Sequence, residues 1–339
     1  MNLRQPLIFD STLRDGSHAV KQNLTEKQIR EYCKAIDGCG NYVCIVGHGN
    51  GLGASSIQMG LSGLDEIDML KIAREELKKT SLGAFITVGF GTIKNQIIPA
   101  IEAGATIFCV ACHCTEADTT KPHISYLVSK GIEVYGVLMM YHMASKERLL
   151  DEAKKIESYG AKGVILMDSA GTSTLEKVKD VVGYLSSELN ITIGFHSHNN
   201  FGMAVALSYV AYQSGADIMD GTLRGFGSGA GNCQLEALVA LFEKEGIKSG
   251  VNLKKMLEVS EKIVQPMWEY KTPVNDISIV SGYAGVVSTV KHKVLKIAQE
   301  YHVSGSDIFL ELGKRNVIAG EDDVILEVAE KLKSKMLSH

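Results

Sequence analysis

Three side chains in this sequence offer the ligand atoms that a divalent metal ion prefers. His196 and His198 lie two residues apart in segment 196–200, and residues at that spacing in an extended chain project to the same side. With Asp15 as the natural third ligand, two neutral imidazoles and one carboxylate leave open positions for water and substrate, a set that suits Mn, Fe, Co, Zn or Mg. A pair of exposed or hydrogen-bonded histidines is the competing interpretation of the His-x-His spacing.

Arg14 and His18 stand on either side of Asp15. Because a guanidinium stays protonated and does not bind metals, Arg14 beside a developing oxyanion would stabilise its charge. His18 titrates near neutral pH and is therefore a candidate general base. A structural ion pair for Arg14 and a capping or solvated side chain for His18 are the alternatives.

Two further motifs give weaker indications. The glycine-rich segment 225–232 would let backbone N–H groups approach an anion, although it lacks the Gly-Lys-Ser/Thr of a Walker loop. Cys109, Cys112 and Cys114 resemble a thiolate metal cluster, but Cys109 falls inside a predicted strand and no second cysteine pair follows. A zinc site there is therefore disfavoured.

The elements that must position these groups form a repeating pattern. Short β-branched runs alternate with polar loops and amphipathic stretches, and capping boxes at 25–28 and 173–176 are predicted to begin two of the helices. Eight βα units in about 245 residues match the (β/α)8 TIM barrel of the α/β class, with a doubly wound sheet as the lesser alternative. The predicted strands are residues 7–10, 42–46, 84–89, 106–111, 133–139, 163–167, 191–196 and 217–220.

In such a barrel, functional side chains belong at the carboxyl ends of the strands. Asp15 and His198 follow predicted strands 1 and 7, and Asp168 and Ser169 follow strand 6. Asp168 is equally suited to capping the next helix. We divide the chain into a catalytic barrel domain at 1–250 and a C-terminal α-helical appendage at 251–339.

Composition excludes several other classes of protein. The 339 residues are 45% hydrophobic, and 35 Lys+Arg against 39 Asp+Glu give a net charge of -4, which disfavours a nucleic-acid or membrane-surface partner. The first residues lack the basic and apolar regions of a signal peptide, and no apolar run is long enough for a membrane span. Seven scattered cysteines favour reduced thiols, so we expect a cytoplasmic protein.

Six segments resemble the 4-hydroxy-2-oxovalerate aldolases of the HMG-CoA lyase-like, or DRE-TIM metallolyase, superfamily, in the same order between about residues 7 and 335. They are residues 10–18, 48–52, 113–118, 196–200, 225–232 and 282–285. The related 2-isopropylmalate and homocitrate synthases usually continue Thr-Leu-Arg-Asp-Gly with an acidic residue and Gln. Here the continuation is Ser17 and His18, which favours the aldolases.

The resemblance implies a metal-dependent class II pyruvate aldolase of aromatic hydrocarbon catabolism. Such an enzyme cleaves 4-hydroxy-2-oxovalerate, or a longer 4-hydroxy-2-oxo acid, to pyruvate and an aldehyde through an enolate. The implied metal is Mn2+, with Mg2+ or Co2+ as alternatives. The implied metal ligands are Asp15, His196 and His198; the catalytic residues are Arg14, which steadies the enolate, and His18, which moves the proton of the 4-hydroxyl; the substrate-binding residues are Arg14, Ser169, His196 and Val287.

One position departs from the family pattern. The family motif has a Tyr over the substrate where this sequence has Val287, so the aldehyde and the C4 configuration stay open. Tyr283, Tyr141 and His142 are candidates to fill the space that the missing ring leaves.

The resemblance also implies an acylating aldehyde dehydrogenase partner, docked largely through the C-terminal helical region and fed through a channel. We also allow for a homodimer. Two other functions remain open at this stage. One is a Claisen-type acyl-CoA synthase or lyase of the same superfamily, and the other is a non-catalytic scaffold for the dehydrogenase.

Overall fold

Eight parallel strands close into a barrel in the computed structural model, which describes residues 4–268, 274–318 and 320–337. Each strand pairs with the next along the chain, and β1 pairs with β8, where Leu7 faces Ile218. The predicted (β/α)8 TIM barrel is therefore confirmed. The strands are β1 Leu7–Leu13, β2 Val43–Val46, β3 Ser81–Thr87, β4 Ile107–His113, β5 Glu133–Met139, β6 Gly163–Asp168, β7 Thr192–Ser197 and β8 Ile218–Gly221.

One α-helix follows each strand and covers the outside of the barrel. Thr25 and Gln28 form the predicted capping box of the first helix, whereas the sixth helix begins one residue later than predicted, with Thr174 rather than Ser173 accepting the cap hydrogen bond. The helices are α1 Glu26–Ile36, α2 Glu66–Glu76, α3 Ile98–Glu102, α4 Lys121–Ser129, α5 Lys146–Ser158, α6 Leu175–Glu188, α7 Ala204–Gln213 and α8 Leu235–Lys244.

The barrel has two apolar layers. Inward-facing side chains such as Phe9, Phe85, Tyr135 and Ile165 fill its interior, and a larger buried layer lies between the strands and the surrounding helices. This double burial explains why the strands are apolar on both faces. A filled interior leaves room for a site only above the carboxyl ends of the strands.

The chain continues beyond the barrel as further helices. The first two contribute Met256 and Met267 to the core layer outside the barrel, while the last four share a separate apolar core around Phe309. These helices are α9 Leu253–Val259, α10 Gln265–Met267, α11 Asp276–Ala284, α12 Lys291–Tyr301, α13 Gly305–Lys314 and α14 Asp322–Leu337. None of the helices in the described ranges has both the length and the apolar character needed to cross a membrane.

Candidate active site

A cavity of about 380 Å3 opens at the carboxyl ends of the strands. Its wall includes Arg14, His18, Ser169 and Val287, together with the metal-ligand candidates Asp15 and His198. His196 lies beneath them and is fully buried. The structure therefore brings the predicted site residues from strands 1, 6 and 7 and from the C-terminal helices to one place.

Asp15, His196 and His198 form a compact and buried group of ligand atoms. One carboxylate oxygen and one nitrogen from each histidine lie within 4.8 Å of one another. Both ring nitrogens of His196 and Nδ1 of His198 are buried without a hydrogen-bond partner. Because buried polar atoms are normally partnered, these orphaned nitrogens fit a bound divalent metal ion.

The carboxylate of Asp15 is held by three donors. Ser228 N–H and Asn232 Nδ2 donate to Oδ1 over 3.1 and 2.8 Å, and Arg14 Nη1 donates to Oδ2 over 2.8 Å. Burial by itself would raise the pKa of Asp15, but Arg14 and the nearby histidines hold that pKa well below its ordinary value. The anion that the glycine-rich segment 225–232 meets is therefore the protein's own carboxylate.

Close approach explains a glycine in that segment. A Cβ added at Gly227 would lie 2.5 Å from Oδ1 of Asp15 and 2.1 Å from the Asn232 amide. Both distances are shorter than van der Waals contact, so any other residue would displace the carboxylate or its donor. Gly227 thus lets the loop close over Asp15.

His198 is in the neutral form that binds metals. Burial lowers the pKa of His198 to about 4, against the opposing effect of Asp15. Beneath His196, Asp220 Oδ2 lies 3.0 Å from Nδ1, outside hydrogen-bond alignment. Ser11 Oγ donates to the other oxygen of Asp220 over 2.7 Å, which fixes the carboxylate next to the imidazole.

Arg14 lies across the floor of the cavity. Its Nη1 also donates to the Gly49 carbonyl over 3.2 Å, and its guanidinium carbon lies 4.4 Å from the centre of the Phe85 ring. Its Nε is buried and has no hydrogen-bond partner. The ion pair with Asp15 and the stacking on Phe85 fix the plane of the guanidinium, while its Nε–H is left without a partner in the protein.

The wall of the cavity, to which Val287 belongs, is largely apolar. Phe90, Met139, Met167 and Ile318 are among the side chains there. The three side chains suggested as replacements for the missing family Tyr do not contribute to this wall. Tyr283 is 75% exposed, Tyr141 is buried against Ser173, and His142 contacts the Gly285 carbonyl. None of the three therefore fills the space next to Val287.

The structure also shows the surroundings of the clustered cysteines and of Asp168, which the sequence analysis had named. The three clustered cysteines are free and buried, and burial raises the pKa of each thiol, to about 11 for Cys114. In the described ranges, the ligand set Asp15, His196 and His198 is the only one of its kind. Asp168 accepts hydrogen bonds from the backbone N–H groups of Thr172 and Ser173, so it orders the loop that follows β6.

Several residues of the site were not predicted. Asp220 is the next-to-last residue of β8, and its type was a usable signal, since a carboxylate near a strand end of a barrel points to the site. No sequence signal pointed to Phe85 or Gln22, because Phe85 resembles an ordinary strand residue and Gln22 resembles an ordinary loop residue. Only the closed barrel shows that they contact Arg14 and His18.

Comparison with known proteins identifies the family of the chain. The HMGL-like family model matches residues 5–263, and the DmpG-like communication domain matches residues 273–334. The carboxyl transferase domain of Rhizobium etli pyruvate carboxylase has the same fold, with a TM-score of 0.82 at 14% identity, covering 98% of this chain and 61% of that one. Fold and site thus define a (β/α)8 barrel of the HMGL-like family with a candidate divalent-metal centre.

Full-length relatives narrow this class. A protein of Pectobacterium atrosepticum named 4-hydroxy-2-oxovalerate aldolase is 46% identical over 329 residues, which cover 97% of this chain and 96% of that protein. A protein of the same name from Spirochaeta aurantia is 46% identical over 330 residues, with 97% and 96% coverage. The chain belongs to the 4-hydroxy-2-oxovalerate aldolase family, whose members are carbon–carbon lyases.

Proposed function

We propose that this protein cleaves a 4-hydroxy-2-oxo acid, either 4-hydroxy-2-oxovalerate or a longer analogue, to pyruvate and an aldehyde. The observation that supports this most directly is that Arg14, on the cavity wall, pairs with Asp15 of the buried ligand set Asp15, His196 and His198. Manganese is the metal we propose, with Mg2+ and Co2+ as the alternatives, since the mixed nitrogen and oxygen ligands suit all three. The implied role in aromatic hydrocarbon catabolism stays a prediction.

A divalent cation held by these three side chains would supply Lewis acidity toward the carboxylate and keto oxygens of a 2-oxo acid. Arg14 would meet the same oxygens with its free Nε–H and stabilise the negative charge that develops as the C3–C4 bond breaks. Ser169 lies on the cavity wall and would bind the oxo acid beside Arg14. No lysine lines the cavity in the described part of the chain, so a Schiff-base route lacks its nucleophile.

His18 is the candidate for moving the proton of the C4 hydroxyl. Its ring is part of the cavity wall, and burial lowers its pKa although Asp15 acts in the opposite direction. The imidazole is therefore neutral at pH 7. A neutral imidazole at this position can exchange a hydrogen-bonded proton with a substrate oxygen.

Replacing His18 by Ala is expected to lower kcat roughly 100-fold or more, at the low end of the range for an acid–base group. The reason is that the variant loses the imidazole that we propose to move the proton of the C4 hydroxyl. Steady-state assays over pH 6 to 9 measure the effect. His292→Ala, the same change at an exposed histidine, is the control, and an unchanged pH profile in His18→Ala would argue against the role.

The assay for the function couples pyruvate release to lactate dehydrogenase over a panel of 4-hydroxy-2-oxo acids. Metal-dependent pyruvate formation by the purified chain supports the proposal and excludes a purely scaffolding role. A parallel reaction with acetyl-CoA and 2-oxo acids, followed by a thiol reagent, tests the Claisen-type alternative. Thiol release without pyruvate formation would replace our proposal with that one.

Val287 is expected to widen the range of substrates. Valine leaves the space that a Tyr ring would occupy, so the cavity should accept longer or branched aldehyde portions and distinguish the C4 configurations poorly. Each methylene accommodated in an apolar pocket changes kcat/KM by about 10- to 200-fold. The measurement is kcat/KM for separated 4R and 4S substrates of increasing length.

Val287→Tyr is the matching variant, and it should restore a preference for one enantiomer and for the short substrate. Val274→Tyr makes the same change at an exposed position and is the control. Val290→Tyr would not serve, because Val290 is buried in the C-terminal core. Strict selection of one enantiomer with a two-carbon aldehyde in the natural protein, unchanged in Val287→Tyr, would break the link between this residue and specificity.

We further propose that an acylating aldehyde dehydrogenase docks on the C-terminal helices and receives the aldehyde through a channel. The match to the DmpG-like communication domain supports a partner of this kind. Ile279 and Tyr283, one turn apart on α11, are 44% and 75% exposed and give that helix an apolar outer face.

We place the protein in the cytoplasm because all seven cysteines are free.

Tyr283→Glu is expected to weaken binding of an acylating aldehyde dehydrogenase roughly 10-fold or more, since exposed aromatic residues often dominate interfaces and a buried unpaired carboxylate is costly. Sedimentation of the mixed proteins measures the affinity and also tests the predicted homodimer. Leu257→Glu on α9, at another exposed apolar side chain, is the control. Equal binding by the Tyr283 variant and the natural protein would remove α11 from the docking surface.

A further inference from the structure

Gln22 is buried beside the site, and each of its polar groups has a partner. It is 5% exposed and has a left-handed backbone, with φ of 64°. Its backbone N–H donates to Ser17 O over 2.7 Å, and its carbonyl accepts from Gly63 N–H over 3.0 Å. These contacts fix the position from which its side chain extends, because a left-handed glutamine persists only where its surroundings enforce it.

The side chain of Gln22 joins His18 to the loop after β2. Its Oε1 accepts a hydrogen bond from Gly49 N–H over 2.9 Å, and its Nε2 lies 3.0 Å from Nδ1 of His18. A backbone N–H can only donate, so the amide atom that faces Gly49 must be the oxygen. The atom that faces His18 is then the NH2 group, which can also only donate.

This chain of donors determines which nitrogen of the neutral His18 ring carries the proton. Nδ1 must accept from Gln22, so it carries no hydrogen, and the single ring proton resides on Nε2. The ring is also held in place from its other side, since a Cβ added at Gly49 would lie 2.5 Å from Nε2. Both tautomers carry one ring proton, so this selection leaves the charge of His18 unchanged.

We propose that Gln22 is a positioning residue that selects the Nε2–H tautomer of His18, so that the resting imidazole presents a hydrogen-bond donor to the C4 oxygen of the substrate. The part concerning the substrate rests on the proposed cleavage. Nε2 can take up the hydroxyl proton only in the other tautomer, which forms when water removes the proton from Nε2 and delivers one to Nδ1. The Gln22 amide must then turn its oxygen toward Nδ1 and lose the hydrogen bond from Gly49.

The test reads the tautomer directly. Protein labelled with 15N-histidine and loaded with Mg2+, which is diamagnetic, is studied by NMR at a pH where His18 is neutral. The His18 signals are assigned by their loss in His18→Asn. The natural protein should show a protonated Nε2 and an unprotonated Nδ1. This readout needs no turnover, so failure of the aldolase assay and failure of the tautomer assignment are separate results.

Gln22→Glu is the decisive variant. One carboxylate oxygen of Glu accepts from Gly49 N–H as the amide oxygen of Gln22 does. The second carboxylate oxygen faces His18 and can also only accept. The His18 proton should therefore move to Nδ1, and the NMR shifts of the two ring nitrogens should exchange. Gln28→Glu makes the same change in the exposed capping box of α1 and should leave the signals of His18 as in the natural protein.

Gln22→Asn is a second test of the tautomer assignment. The shorter amide of Asn does not reach His18, and Asn tolerates a left-handed backbone. This variant should remove the fixed preference and leave both tautomers populated. A proton on Nδ1 in the natural protein would overturn the proposal. So would an unchanged tautomer in Gln22→Glu with the circular dichroism of the natural protein.

Discussion

Replacing Arg14 by Lys is expected to lower kcat for cleavage about 100-fold or more, because loss of one preorganised oxyanion donor costs about 3 to 4 kcal/mol. The ammonium group keeps the charge, but it loses the planar fork that pairs with Asp15 and the stacking on Phe85. It also removes the Nε–H that we assign to the substrate. Steady-state kinetics with pyruvate detection measure the change.

Arg30→Lys provides the matched control for Arg14→Lys. Arg30 pairs with three surface carboxylates, those of Glu26, Glu75 and Glu76, and exposed pairs contribute little to stability. This control should therefore keep its full activity. More than about half of the natural rate in Arg14→Lys, well above the loss expected for a missing oxyanion donor, would show that Arg14 is structural.

The double variant His196→Ala and His198→Ala is expected to lose metal binding by more than about 100-fold, since even residues that only orient a metal ligand change affinity 10- to 100-fold. Two of the three ligands disappear, and Asp15 alone, already bound by three donors, is a poor site. Equilibrium dialysis with elemental analysis gives the stoichiometry for Mn2+, Mg2+ and Co2+. The order of the three affinities also tests our choice of manganese.

His292→Ala combined with His302→Ala removes two exposed histidines from the C-terminal helices and controls for weak surface binding. It should retain one metal ion per chain. Activity of the ligand variant should fall together with its metal content. Full occupancy in the variant without His196 and His198 would show that the metal, where present, lies elsewhere.

The order and number of the elements follow from the sequence alone. The eight strands were predicted because parallel strands covered on both faces are short, apolar runs, and β5 begins and ends at the predicted residues. The ends of β1 and β4 were set too early, since polar residues such as Ser11, Thr12 and His113 look like loop residues. β1 continues because Ser11 and Thr12 are buried and Leu13 beyond them still pairs with Val46, and β4 continues because His113 pairs with Met139.

The metal-ligand candidates could also be predicted from local sequence patterns. The spacing of His196 and His198 is a property of a single strand, and the fold class places Asp15 at the same end of the barrel. The assignment of the reaction needed more than pattern. The assignment came from the order of six motifs that resemble the aldolase family. The residue types alone would not have identified the reaction.

Only the tertiary structure shows how these groups are held. Asn232 donates to Asp15 across a separation of 217 residues, Ser11 reaches Asp220 across 209, and Gln22 contacts Gly49 across 27. Local periodicity determines which residues form a strand or a helix, because it depends only on neighbours along the chain. Contacts between loops of different βα units depend on barrel closure and on the path of each loop, and no spacing within one segment encodes either.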